Sequence, residues 1–376
     1  MYNRQFVKKI LSIMVITIVW LVISWPPVFA QEQSSEHAWI RPESDKDAAL
    51  WGIRNGIVFS LWPYGIETNK GLFGGGPRGL IRLGIERGGN MYLLNFLAIE
   101  PIVNGKIEFS EISPSQIDEK WGKLMWASSE EKENSFYPTA NTSGIISHPD
   151  PNHPKVEELS LYVFMEKFIS GAHPYLKLSI RSDRPQEICI QVFNRADSEQ
   201  MDYCNITATM GNYARLRQLH FNDEVIDART LYKGYEGIDF IEKDTYPAAR
   251  LLRSKRGDRF AFATTNENLE ELGKWPTDSL ANVKRNWYYR IPVKLTQYWR
   301  KEQVAENAQW RVRVNGRAKY WSGGSRDANN YLAIPGGPAF ENFELQEKYL
   351  PGQKSFFGIT EMSPKEIMDV FNSQTF

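Results

Sequence analysis

The chain reads as all-β: a large β-sandwich of multi-strand antiparallel sheets, ending in a short C-terminal helix. Three observations predict it. Apolar and polar residues alternate with a period of two along most of the chain, turn residues separate the short alternating runs, and helical periodicity is scarce.

Strand patterns begin near Trp51, and the first runs are 56–63, 78–86 and 91–103. The clearest hairpin joins 157–168 to 174–183. There Leu176, Leu178 and Ile180 alternate with Lys177, Ser179 and Arg181, and Ser170-Gly171 supplies the turn. Further runs lie at 213–221, 259–265, 288–299 and 354–360. A second hairpin is predicted over 309–321, because Asn315-Gly316 favours a two-residue type I′ turn. That register sets Val314 against Arg317, Val312 against Lys319 and Trp310 against Trp321. At the C-terminal end, Ser363-Pro364-Lys365-Glu366 provides an N-cap, a proline in the first turn and a capping-box acid. The apolar helical positions Ile367, Met368, Val370 and Phe371 follow.

The N-terminus predicts export. Arg4, Lys8 and Lys9 precede an uncharged run from Ile10 to Trp25, 16 residues that would span about 24 Å as a helix, short of a ~30 Å hydrocarbon core. Pro26-Pro27 and then Val28-Phe29-Ala30 complete a secretory signal peptide over 1–30, with cleavage expected after Ala30. A polar lead, 31–50, and one β-sandwich domain, 51–376, follow. The expected location is extracytoplasmic, with no stable membrane anchor once the signal is cleaved; an uncleaved signal anchor is the alternative.

Loss of Arg4, Lys8 and Lys9 from 45 basic residues leaves 42 against 45 acidic, a formal charge of −3. That balance gives no electrostatic reason to expect nucleic acid as a partner. Aromatic residues reach 13% (12 Trp, 17 Tyr, 20 Phe), supplying flat faces that can stack on sugar rings or fill a β core. The two cysteines, Cys189 and Cys204, fall on two strand-like runs joined by 195–200. An antiparallel hairpin pairing them would permit a disulfide in an oxidising compartment; two buried free thiols are the other reading.

Several motifs are considered and set aside. Gly74, Gly76 and Gly79 make a formal GxGxxG, but Pro77 interrupts it and a strand follows, so it reads as a loop whose Arg78 and amides could meet an anion. His148, Asp150 and His153 are separated by prolines that prevent a helix from aligning them as metal ligands, and no metal or other cofactor is expected. GxSxG, S-x-x-K and Cys-His dyad patterns are absent. Glu100, Glu341 and Glu344 are possible acid–base carboxylates, with Glu341 and Glu344 on opposite faces of one strand.

The strongest local pattern is Tyr213, Arg215 and Arg217, alternating on one face of the 213–221 run. Eliminative cleavage of a uronate polysaccharide needs a cation on the carboxylate and a Tyr or His to carry the proton, so Tyr213, Arg215, Arg217, His173 and His220 are the candidate catalytic residues. Arg78, Tyr298, Trp299, Arg300, Arg311, Arg313 and Tyr320 are candidate substrate contacts, aromatic and guanidinium groups forming a stacking and hydrogen-bonding platform. The general look is similar to carbohydrate-handling sandwiches at the level of fold, which carries over no residues. The expected partner is a carbohydrate, met by a lyase-like or epimerase-like enzyme or a binding module. The rival is a non-catalytic structural or interaction protein of the cell envelope.

Overall fold

Short runs with alternating side chains must hydrogen-bond laterally to satisfy their backbone, and here they do so in two large sheets packed together. The structure is a computed structural model and describes residues 39–44, 46–62, 79–117, 119–132, 142–209, 211, 213–237, 239–265, 286–304, 309–321 and 331–373. The expected signal peptide and Arg78 lie outside the described residues.

In chain order, β1 (Trp39–Ile40), β2 (Leu50–Ile53), β3 (Ile57–Trp62), β4 (Leu80–Arg87), β5 (Asn90–Val103) and β6 (Lys106–Ile107) belong to the first sheet. The next five, β7 (Met125–Ser128), β8 (Ile145–Ser147), β9 (Glu158–Met165), β10 (Pro174–Arg181) and β11 (Glu187–Asn194), belong to the second. The chain then returns to the first sheet for β12 (Tyr203–Thr209) and crosses back for β13 (Leu216–His220) and β14 (Val225–Asp227). Helix α1 (Ala228–Leu231), β15 (Asp244–Pro247), β16 (Leu252–Arg253), β17 (Arg259–Thr265), β18 (Trp287–Tyr288) and β19 (Thr296–Lys301) follow. The described elements end with β20 (Arg311–Arg317), β21 (Lys319–Trp321), β22 (Tyr331–Ala333), β23 (Ala339–Lys348), β24 (Lys354–Thr360) and helix α2 (Pro364–Ser373).

The first sheet runs β1-β2-β3-β4-β5-β12-β23-β20-β15, with β6 and β18 also on β5; the second runs β14-β13-β17-β19-β24-β11-β10-β9-β7, with β16 on β17 and β8 on β9. Pairing is antiparallel except for the short parallel contact of β18 with β5. Leu97, Ile99, Ile206, Phe343, Leu345, Val312 and Val314 line the inner face of the first sheet; Leu176, Leu178, Ile188, Phe357 and Trp299 line that of the second. Trp299 bridges the layers, packing its ring tilted against Phe357 (4.7 Å between centres) and donating its indole N–H to the Phe343 carbonyl at 2.9 Å. Gln297 and Asn95 make a second bridge within the core, the Gln297 amide donating to the Asn95 amide oxygen at 2.7 Å. Helix α2 begins with the expected capping box, Ser363 and Glu366 exchanging hydrogen bonds. It lays Ile367 and Phe371 against Phe260, Phe262 and Tyr298 on the outer face of the second sheet.

The all-β fold, the β9–β10 hairpin and the C-terminal helix match the expectation, and three local readings are corrected. No disulfide forms: Cys189 is in β11 of the second sheet, Cys204 in β12 of the first, and both are buried free thiols. The link 195–200 carries the chain from one sheet to the other instead of turning a hairpin. Asn315-Gly316 is no turn either. Both residues lie inside β20, at a bulge against β23, where a Cβ on Gly316 would come within 2.4 Å of the Tyr232 ring. Finally, β13 begins only at Leu216. Tyr213 to Arg215 form a turn in which Arg215 takes φ +57°, so the three residues do not share one strand face.

Candidate functional site

The outer face of the first sheet is polar, and its register brings together residues far apart in sequence. One row runs Arg82, Phe96, Thr209, Asn342, Asn315 across β4, β5, β12, β23 and β20, four strand spacings or roughly 19 Å. The next row holds Ala98, Thr207, Glu344 and Arg313, and the third Glu100, Asn205, Gln346 and Arg311.

The second and third rows form a carboxylate and amide cluster. Thr207 donates to Glu100 at 2.6 Å and Asn205 donates to its other oxygen at 3.1 Å. Lys243 donates to Glu344, whose second oxygen lies 3.5 Å from Arg313 Nε. Glu111, whose carboxyl oxygen Oε2 is buried, is pushed up to about 8, first by burial and then by the negative charge of Glu100. Glu344 is raised for the same two reasons, although Lys243 and Arg313 oppose the shift. Buried acceptor oxygens of Glu111, Asn205, Asn315 and Asn342 have no hydrogen-bond donor, so this half of the face has more acceptors than donors.

At the other end of the first row the charge is reversed. Arg82 is 4% exposed, and its guanidinium sits 3.6 Å from the Phe96 ring centre, 4.6 Å from Tyr289 and 5.0 Å from Trp62. The segment following β18 supplies Tyr289 and Arg290, and the β12–β13 connection supplies Tyr213 and Arg215. Tyr213 stacks on Tyr289 at 5.9 Å, and Arg290 lies 4.9 Å over the Tyr213 ring. Arg215 donates to the carbonyls of Ile291 and Val293 at 3.0 and 3.2 Å. Its pKa falls to about 10 through burial and then the like charge of Arg290. Three cations and two phenols therefore gather with no carboxylate among the groups that shift Arg82 or Arg215.

The residues singled out from sequence are dispersed. Tyr213 and Arg215 belong to this cationic cluster, while Arg311 and Arg313 lie on the same sheet face in the carboxylate half. Arg217 is fully buried and spends its guanidinium on the carbonyls of Pro335, Gly337 and Pro338. His220 is hydrogen-bonded to Thr264 at 2.9 Å, and burial lowers its pKa. His173 pairs with Asp197 at 2.8 Å just before β10, five strand spacings, roughly 24 Å, from β13 in the same sheet. His173 and His220 cannot serve one sugar ring together.

Tyr298, Trp299 and Arg300 are all buried. The first and third lie beneath helix α2, and Trp299 points into the core. The side chain of Tyr320 lies outside the described residues. His153 and Asp150 bond to each other at 2.8 Å on an exposed turn, and among the described residues no cluster of metal ligands forms. Among the described residues, no helix is long and apolar enough to cross a membrane.

Sequence reasoning missed Arg82, Glu111, Tyr289 and Arg290. Only Arg82 left a signal: one charge inside the otherwise apolar Leu80-Ile81-Arg82-Leu83 run, which β4 buries on both faces. Comparison of the chain with protein-family models, with curated proteins and with solved structures found no match.

Proposed function

We propose that the protein acts outside the cytoplasm on an acidic polysaccharide or oligosaccharide, held along the polar face of the first sheet and cleaved or modified by a lyase-like or epimerase-like reaction. One observation carries the reading: Arg82, Arg215 and Arg290 gather around Tyr213 and Tyr289, setting three guanidinium groups beside two phenols. Eliminative chemistry asks for this combination, a cation on the uronate carboxylate and a tyrosine that as phenolate takes the adjacent proton and as phenol returns it to the departing glycosidic oxygen.

The test is incubation of the purified protein with a panel of uronate polysaccharides. Binding is read by calorimetry, and turnover by the ultraviolet absorbance of the double bond that elimination creates. Turnover lost in Tyr213→Phe with binding retained is the expected result; absence of binding and turnover with every glycan refutes the reading. A second reading, a non-catalytic structural protein of the cell envelope, is favoured by the burial of Arg215 and Arg217 and by their bonds to backbone carbonyls.

A further inference from the structure

We infer that Arg82 is the carboxylate-recognising group of the polar face, so that the ligand is an anionic sugar, a uronate, and not a neutral one. This rests on the glycan reading above and narrows it to one substrate class.

Three buried arginines differ in how their charge is met. Arg300, 1% exposed, also lies against aromatic rings, Phe356 at 3.8 Å and Phe371 at 5.0 Å, but it holds Glu187 with two bonds of 2.9 and 2.7 Å and reaches Asp258 at 3.3 Å. Arg217 gives its Nε and Nη2 to three carbonyls, leaving only Nη1 without an acceptor. Arg82 has neither provision. Its Nε and Nη1 are buried without an acceptor, and the groups that stabilise its charge are the hydroxyls of Tyr289 and Tyr213. A buried cation without an anion or a full set of acceptors costs several kcal/mol, a cost removed when a ligand brings the missing charge.

The surroundings select the ligand's shape. Trp62, Phe96 and Tyr289 surround the guanidinium with ring surface, which cannot accept its in-plane N–H groups. A carboxylate brings a charge and acceptor oxygens to those N–H groups; a hydroxyl supplies one oxygen and no charge. Phe96 and Tyr289 are only half-buried, so they form the rim through which a sugar substituent reaches Arg82.

The experiment titrates the full chain with a uronate oligosaccharide and with the same oligosaccharide after chemical reduction of its carboxyl groups. The wild type is expected to prefer the acidic form by about tenfold or more, the scale of a charge-assisted pair. Arg82→Met is expected to abolish that preference by weakening binding of the acidic form far more than binding of the reduced form. It should also raise the melting temperature without ligand, which a merely structural arginine would not do. Arg82→Lys, which keeps the charge and loses the fork, should retain only part of the preference, and both variants are checked for fold by far-ultraviolet circular dichroism. Equal binding of the two forms by the wild type, or a preference that survives in Arg82→Met, overturns the inference. If neither oligosaccharide binds but free glucuronate raises the melting temperature of the wild type and not of Arg82→Met, the anion site stands and the glycan reading falls. If glucuronate has no effect either, both fall.

Discussion

Replacing Arg300 with methionine separates a surface sugar contact from a buried structural ion. Arg300 spans β19 to β11 under helix α2, pairing with Glu187, Asp258 and Glu302 and lying over Phe356 and Phe371. Glu187 is 4% exposed, so Arg300→Met leaves a carboxylate in a site it shares with Tyr298 and no longer with a cation. Removing one partner of such a pair costs about 3–5 kcal/mol, because the remaining charge is stranded away from water. For a domain of this size that corresponds to a melting temperature roughly 4–7 °C lower. The assay is thermal and denaturant unfolding of wild type, Arg300→Met and Arg300→Met with Glu187→Gln. The double variant should recover a large part of the loss, since it removes the stranded charge. Stability within about 1 kcal/mol of wild type for Arg300→Met, together with lost glycan binding, would refute the structural role and restore Arg300 as a sugar contact.

Two more predictions concern titration and thiol chemistry. Glu111 and Glu341 are held up at about 8 and about 7 by burial, against an ordinary value of 4.5, so the folded protein holds protons that the unfolded chain has released. The stability they contribute is complete below that ordinary value and is lost as pH rises to the folded values. The slope is about 1.4 kcal/mol per pH unit for each group. The melting temperature should therefore fall between about pH 5 and about pH 8, and Glu111→Gln should reduce the slope; a rise across that window would contradict the cause assigned. Burial pushes the Cys189 thiol up to about 12 and raises Cys204 as well. Native protein should not react with a thiol-specific disulfide reagent, whereas unfolded protein should titrate two thiols. One migration on reducing and non-reducing gels should accompany this, and a reduction-sensitive shift would revive the disulfide.

The sequence by itself determined the local objects. Period-two alternation placed β9, β10, β17 and β24 within a few residues, because a half-buried strand can only alternate, and the Ser363–Glu366 box placed helix α2, because its bonds are local. What failed was anything needing a long-range partner. Asn315-Gly316 has the composition of a turn, yet Tyr232, distant in sequence, presses on Gly316 and the strand continues. Cys189 and Cys204 look like hairpin neighbours until the strands they sit on join different sheets. Arg215 fits an alternating pattern that its own left-handed φ breaks.

The candidate site belongs to the same category. Arg82, Phe96, Thr209, Asn342 and Asn315 share a row only because β12 inserts between β5 and β23, and nothing within any one of those segments encodes the insertion. The tertiary structure alone decided which arginines are spent and which are free. Arg217 and Arg300 meet their carbonyls and carboxylates across sequence separations of more than a hundred residues, while Arg82, one charge in an apolar strand, meets three aromatic rings and, among the described residues, no anion.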